Sequence, residues 1–393
     1  MLWIGQVLSD LGSEIGVLAY PLLVLALTRS PVIAGAVGTV ASVAAFVVRL
    51  PAGSLVDRLH RRQTMIVCDV VRATALAALT VLVALDAVAW PVILIVAVLD
   101  KAGDTFFNPA SRAALPVIVQ SEQLETAWAA TEGRQYAANL AGPALGGFLY
   151  SLGRMVPFIA DAISYGISAV TSSAMAGDFS TRTDAASRRG LWVEAFDGMR
   201  FLWRDSFLRA VLLQSPLMNF AFNGAIYTII IGLRHHGSSA TVVGGAQAAI
   251  MTGGLLGAIA APRIQQLFSV LRLLLLFTIV GSVLLAVSAV ILPSPFAAAP
   301  LAIPLILSPA TNATLFAARM RRTPPSLQGR TNAALMQVAM GLATLAPLVS
   351  GVVIEHASAQ WAMAVFALAL AGVLPLALLL PGLRHPGAAG ELS

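Results

Sequence analysis

Apolar residues come in twelve runs, at 3–27, 32–56, 64–86, 91–111, 126–150, 155–177, 208–233, 241–262, 271–292, 297–318, 328–352 and 358–382, broken by short segments that collect arginine and turn residues. A helix needs about 20 apolar residues to cross roughly 30 Å of hydrocarbon, and each run is of that order. Proline and glycine recur inside several runs, which bundled transmembrane helices tolerate because neighbouring helices satisfy the freed backbone groups. The pattern predicts an all-α integral membrane protein of twelve transmembrane helices. The first run lacks a basic lead and carries Asp10 and Glu14 where a signal peptide would be apolar, so it reads as a retained helix.

One polar stretch is long, and it divides the chain into a six-helix bundle at 1–177, a cytoplasmic linker at 178–207 and a second six-helix bundle at 208–393. Inside the linker, Trp192, Phe196, Met199 and Trp203 recur at helical spacing beside Arg200 and Arg204, predicting an amphipathic helix on the cytoplasmic membrane surface. A shift of 204 residues superposes Gly53 on Gly257, Asn108 on Asn312, Pro143 on Pro347 and Gly147 on Gly351. These coincidences predict a duplicated unit. Because each unit has an even number of spans, the two share orientation, the arrangement of carriers that rock one half against the other. The repeat is not symmetric in charge: GSLVDR at 53–58 becomes GAIAAP at 257–262.

Composition agrees with the pattern, at 58% hydrophobic and 11% charged over 393 residues with mean hydropathy +0.85. The net charge of +6 would suit a nucleic-acid binder in a soluble chain. Here the distribution explains it: seventeen arginines fall in the even-numbered loops, the linker and the tail, against Arg29, Arg154 and Arg234 in the odd-numbered loops. By the positive-inside rule this places both termini in the cytoplasm of a multi-pass protein, and no nucleic-acid partner is expected. Cys68 is the one cysteine and the five histidines lack ligand spacing, so no disulfide within the chain and no metal site are expected. No HExxH, GxSxG or nucleotide-binding motif is present, which argues against an enzyme and leaves no cofactor to place.

The charges inside the spans concentrate in the first half: Asp10, Glu14, Arg49, Asp69, Arg72, Asp100, Lys101, Asp104, Glu132, Arg134 and Asp161. Each costs several kcal/mol in hydrocarbon unless paired, hydrated or neutralised, so each is a functional candidate. Carboxylates outnumber cations, an excess that protons or a cationic ligand would relieve. Asp10 and Glu14, and again Asp100 and Asp104, are four apart and share a helix face. Glu14 and Asp100 fall near mid-membrane and are the first candidates for proton coupling, followed by Asp10 and Asp104; static interhelical pairing is the competing reading. Asp69 and Arg72 have the spacing of a pair within one helix, and Arg134 is left to meet Glu14, Asp100 or another acid.

Four stretches carry a resemblance. Gly53, Asp57, Arg58, Arg61 and Arg62 resemble the signature loop between the second and third helices of the major facilitator superfamily, with His60 where a glycine is usual. AGPALGGFLY at 141–150, with Gly142, Pro143, Gly146 and Gly147, resembles the fifth-helix motif of that superfamily's antiporters. FFNPASRAALPVIVQSEQL at 106–124 and LGSEI in the first span resemble the branch of macrolide-efflux proteins and enterobactin exporters. The resemblance implies rocker-switch alternating access and proton-driven export of an amphipathic small molecule, such as a macrolide-like drug or a siderophore, from a monomer in the plasma membrane, powered by the proton gradient alone. It further implies a cytoplasmic latch in which Asp57 meets the start of the eleventh helix near Gly329 to Asn332 and the basic end of the fourth at Arg112. The arginine common midway along the fourth helix of drug antiporters is missing. Phe106, Phe107, Asn219, Phe222, Asn223 and Tyr227, on the fourth and seventh spans, are candidate cavity residues, with ordinary helix packing as the alternative. An importer or facilitator, or a transporter-like sensor or scaffold, would share the same helices.

Overall fold

The computed structural model describes residues 2–56, 59–175 and 191–379, and among these the regular structure is entirely helical. The first half forms α1 (Leu2–Thr28), α2 (Pro31–Val56), α3 (Arg61–Ala84), α4 (Trp90–Ile118), α5 (Leu124–Leu152) and α6 (Val156–Ser173). A short α7 (Leu191–Arg204) precedes α8 (Ser206–His235), α9 (Ala240–Leu267), α10 (Val270–Ile291) and α11 (Ala299–Arg322). The eleventh predicted span is two helices, α12 (Gln328–Gly341) and α13 (Ala346–His356), joined by a 3-10 turn at Leu342–Leu345, and the twelfth is α14 (Ala359–Ala371) followed by α15 (Val373–Leu379).

Among the described residues, nine helical segments are long and apolar enough to cross a membrane. The three predicted spans outside that set are α4, α5 and α6. They are the helices that carry Asp100, Lys101 and Asp104, then Glu132 and Arg134, then Asp161. On the last of these the polar residues turn inward and the apolar residues outward. On α6, Asp161, Ser164, Tyr165, Ser168 and Ser172 are buried whereas Ile159, Ile163, Ile167 and Val170 are exposed. This inverted pattern is what a lipid-facing helix requires, since lipid solvates the apolar face and the polar face must find protein partners.

The chain packs as two units. The first comprises Met1–Arg188 with Arg234–Ala248, the second Arg189–Leu233 with Ala249–Ser393. In the first, α1 lies against α2, α5 and α6, while α3 packs on α4 and α6. The start of α9 belongs with this unit because small residues let it approach α5: a Cβ on Gly147 would sit 2.5 Å from the Ala240 carbonyl oxygen, and one on Gly244 2.5 Å from that of Pro143.

In the second unit α10 packs on α11 and α14. The linker helix α7 packs on this unit by one face and leaves Arg200, Trp203 and Arg204 exposed. It packs on α12, where a Cβ on Gly198 would lie 2.7 Å from the Arg330 carbonyl oxygen, and Leu202 is fully buried with Phe207, Leu208 and Leu335. Asp205, between α7 and α8, accepts from the Leu208 N–H at 2.9 Å and pairs with Arg322 at 3.1 Å, which satisfies an orphan donor of α8 and favours its positive end.

Candidate functional site

Arg72 on α3 is the centre of the first unit's polar interior and is only 1% exposed. Its Nε lies 2.8 Å from Asp100 Oδ1 on α4, and its Nη2 reaches Ser13 Oγ on α1 at 3.0 Å and Asp104 Oδ1 at 3.9 Å. Nη2 also donates to the Tyr165 hydroxyl on α6, and the guanidinium carbon stands 3.8 Å from the centroid of the Tyr165 ring. Asp100 collects two further donors, Tyr165 Oη at 3.1 Å and Tyr20 Oη at 3.3 Å. Four helices thus converge on one ion pair. A guanidinium suits this role because its planar fork serves several acceptors at once.

This geometry corrects the expected Asp69–Arg72 pair. The two residues share a face of α3, but Arg72 is drawn to Asp100 across the helix interface, where the carboxylate is already held by two tyrosines. Asp69, fully buried one turn nearer the start of α3, lies beside Ser168 on α6 and neither of its oxygens has a hydrogen-bond donor in bonding geometry. Asp161, 1% exposed, is held weakly as well. Ser164 Oγ stands 3.3 Å from its Oδ1 but also 2.8 Å from its backbone oxygen, and Oδ2 has no donor in bonding geometry.

A second ion pair joins α1 and α5 in the same unit. Arg134 on α5 pairs with Asp10 on α1 at 2.8 Å, and so meets neither Glu14 nor Asp100. The reason is depth: one turn of α1 separates Asp10 from Glu14, and Arg134 enters the bundle at the level of Asp10. Arg134 also donates to Gln6, whose amide donates to Ser111 Oγ on α4 at 2.7 Å. Glu14 is only partly buried and shares an electrostatic neighbourhood with Lys101, Asp104 and Asp10. Asp104 accepts from Asn108 at 2.9 Å and keeps a third of its side chain exposed, at 34%.

The fifth-helix motif sets the position of Glu14. A Cβ on Gly142 would collide with the Glu14 Cβ and stand 3.3 Å from its Cα, and one on Gly146 would stand 3.2 Å from the Ile15 carbonyl oxygen. With Pro143 and Gly147 turned toward α9, the motif lets α5 press α1 on one side and α9 on another, a small-residue contact that relies on packing rather than hydrophobicity.

Of the loop motif, Asp57 and Arg58 lie outside the described residues, and for Gly53 only its place in α2 is described. Arg61 donates to the Ala113 carbonyl on α4 at 2.9 Å and Arg62 to the Ser173 carbonyl at the end of α6. His60, where the loop departs from the motif, caps α3, its Nδ1 accepting from the Gln63 N–H at 3.4 Å. Ser173 is the last residue of α6, so Arg62 binds a helix end whose carbonyl lacks an intrahelical partner, a contact the helix dipole favours.

Arg112, expected at the latch, meets Glu132 at 3.3 Å and Gln135 at 3.2 Å on α5. Both members of the Arg112–Glu132 pair are about half exposed, at 46% and 49%. Replacing Glu132 by Gln is expected to change thermal unfolding by less than about 1 kcal/mol, because exposed pairs are screened and entropically costly; a larger loss in a detergent melting assay would contradict this.

The candidate cavity residues fare unevenly. Phe107 is 5% exposed and packs with Val56, Met65 and Ala110, with Phe106 against the same cluster. Phe222 stacks on Phe277 of α10, ring centroids 5.0 Å apart. Asn219 and Asn223 turn their amides back to the Ser215 and Asn219 carbonyls at 2.9 Å. Tyr227 stands partly buried on α8.

Tyr20, Ser13, Tyr165 and Gln6 were not anticipated as site residues. A signal existed: Asp161, Ser164, Tyr165, Ser168 and Ser172 recur at three- and four-residue spacing, the polar counterpart of an amphipathic stripe.

Comparison with known proteins bears on what such an interior serves. A macrolide efflux protein A of Streptococcus pyogenes is 29% identical over 176 residues, 43% of this chain, and the match spans 42% of that relative's length. The multidrug efflux pump Tap of Mycolicibacterium fortuitum is 25% identical over 297 residues, 72% of this chain and 71% of that one. Among solved structures, the nucleoside transporter NupG matches with TM-score 0.70 at 14% identity, covering 98% of this chain and 98% of the other. A bacterial homologue of the human lysosomal transporter Spinster, inward-facing and unoccupied, matches with TM-score 0.68 at 12% identity over 97% of this chain and 94% of that one. At those identities the likeness shows a shared fold. The family model described as transmembrane secretion effector matches residues 1–387. The chain therefore belongs to the transmembrane secretion effector family of the major facilitator superfamily, and its helices have the length and apolarity of a multi-pass membrane protein.

Proposed function

We propose that this transporter exports an amphipathic, amine-bearing small molecule by exchange for protons. One observation carries the reading: Asp69, Asp100 and Asp161 are all buried in the first unit, and Arg72 is the cation that faces them. A carboxylate sealed in a low-dielectric interior without a counter-ion is so costly that it takes up a proton instead. An interior with more acids than cations is therefore built to hold and release protons. Asp10 and Asp100 serve as counter-ions to Arg134 and Arg72, while the partly buried Glu14 and Asp104 are the acids a cationic amine can reach. The named activities of the efflux relatives point the same way.

The two units are taken to rock against each other in the plasma membrane, with both termini in the cytoplasm as the arginine asymmetry favours. Everted membrane vesicles loaded with a proton gradient, acid inside, test the coupling. Radiolabelled erythromycin is expected to enter them faster than it enters vesicles lacking the transporter, which trap the protonated amine passively, and that excess is expected to vanish when a protonophore collapses the gradient. An excess indifferent to the protonophore rejects proton coupling, and uptake of erythromycin into intact cells against its gradient rejects the export direction in favour of import.

A further inference from the structure

Asp100 and Asp161 approach the same point of α1 from two different helices, α4 and α6. From the position a Cβ would take on Gly16, Asp161 Oδ2 is 3.7 Å away and Asp100 Oδ2 3.8 Å. Their surroundings differ. Asp100 has Arg72 Nε, Tyr165 Oη and Tyr20 Oη within 3.3 Å, a complete set of donors for an anion. Asp161 has one hydroxyl in bonding geometry, shared with a backbone carbonyl, and one oxygen with no donor so placed.

The carboxyl is also sealed. A Cβ on Gly12 would run into its Oδ1 and come within 2.6 Å of Ser164 Oγ, so α1 lies directly on it at a glycine. The charged and titratable groups that act on Asp161 are Asp100 from α4, Arg72 from α3, Tyr20 from α1 and Tyr165 from α6 itself. Arg72 is the one cation among them, and it is already committed to Asp100.

We infer that Asp161 is the residue that carries the exchanged proton, and that Asp100 is its fixed partner rather than the carrier. The inference rests on the proton-coupled reading above and names its site. With Asp161 neutral, the Arg72–Asp100 pair balances and α1 closes over it. Loss of the proton to water places a second anion beside Asp100, which competes for Arg72 and loosens the contacts among α1, α3, α4 and α6. Since Gly12 and Gly16 seal the acid, proton exchange requires α1 to lift from α6, and this ties protonation to a change of shape.

Two measurements test the assignment. A hydrophobic carbodiimide modifies neutral buried carboxyls, and in the wild-type protein it should label Asp161, with labelling lost on raising the pH; a peptide map showing modification elsewhere and none at Asp161 overturns the inference. In everted vesicles, two pH units can sustain about a 100-fold accumulation for one proton per molecule, tenfold per unit. Passive trapping of the protonated amine reaches the same ratio, so the readout is the initial rate of uptake above that of vesicles lacking the transporter: wild type should show this excess for erythromycin, Asp161→Asn should lose it, and Asp161→Glu should recover part of it. Asp161→Asn keeping the wild-type excess removes Asp161 while leaving coupling intact. A wild type that fails to couple removes the broader reading whatever the labelling shows.

Discussion

Arg72→Ala is expected to lose about 3–5 kcal/mol of stability and all transport, the largest effect of any single substitution in the first unit. The loss arises less from the missing attraction than from what remains: Asp100 would stay buried at 3% exposure with two tyrosine hydroxyls and no positive charge. Lysine should rescue little. One ammonium on a flexible stem cannot hold Asp100, Ser13 and the face of Tyr165 together as the guanidinium does. The double variant Arg72→Gln with Asp100→Asn removes both charges, and it should recover most of the stability while remaining inactive. Thermal unfolding in detergent micelles, read beside erythromycin accumulation in vesicles, separates the two effects. Should Arg72→Ala melt within about 1 kcal/mol of the wild type, Arg72 would be partnered less tightly than its geometry indicates.

The sequence made the helices legible because lipid imposes a length and an apolarity that composition alone reveals, and it marked Asp100, Arg72 and Arg134 as costly enough to need partners. It could not say which partners. The spacing of Asp69 and Arg72 satisfied a rule for one helix, whereas the chosen pair joins α3 to α4. Interhelical pairing depends on rotation and depth, and one turn of α1 decided that Arg134 met Asp10 and not Glu14. Neutral residues were harder still. Tyr165 and Tyr20 complete the network, yet singly each resembles an ordinary interfacial aromatic. Their role shows only when the inward stripe of α6 is read as a face. Phe107 packs in a buried cluster with Val56, Met65 and Ala110, a place the sequence did not mark because an aromatic on the fourth span serves a core as readily as a cavity.

The glycines of α5 give a second large effect, and one that changes sign along a single helix. Gly133 has open space where a Cβ would stand, so Gly133→Ala should leave the protein as stable or raise its stability by up to about 1 kcal/mol, the ordinary gain from removing a flexible residue from a helix. Gly142→Ala faces the opposite situation. The new methyl meets the Glu14 Cβ and comes within 3.2 Å of the Glu14 carbonyl carbon, and none of these atoms can swing aside as the end of a long side chain could. Helix α1 must move, at about 1–3 kcal/mol for overpacking, and it carries with it Asp10, Ser13, Glu14 and Tyr20. Three of those side chains, Asp10, Ser13 and Tyr20, bind Arg134, Arg72 and Asp100 in turn, so a shift of α1 disturbs both ion pairs at once and transport should fall further than stability does. Equal melting of Gly142→Ala and Gly133→Ala would mean that α1 does not rest on α5 at Glu14, and the placing of that acid by the fifth-helix motif would fall with it.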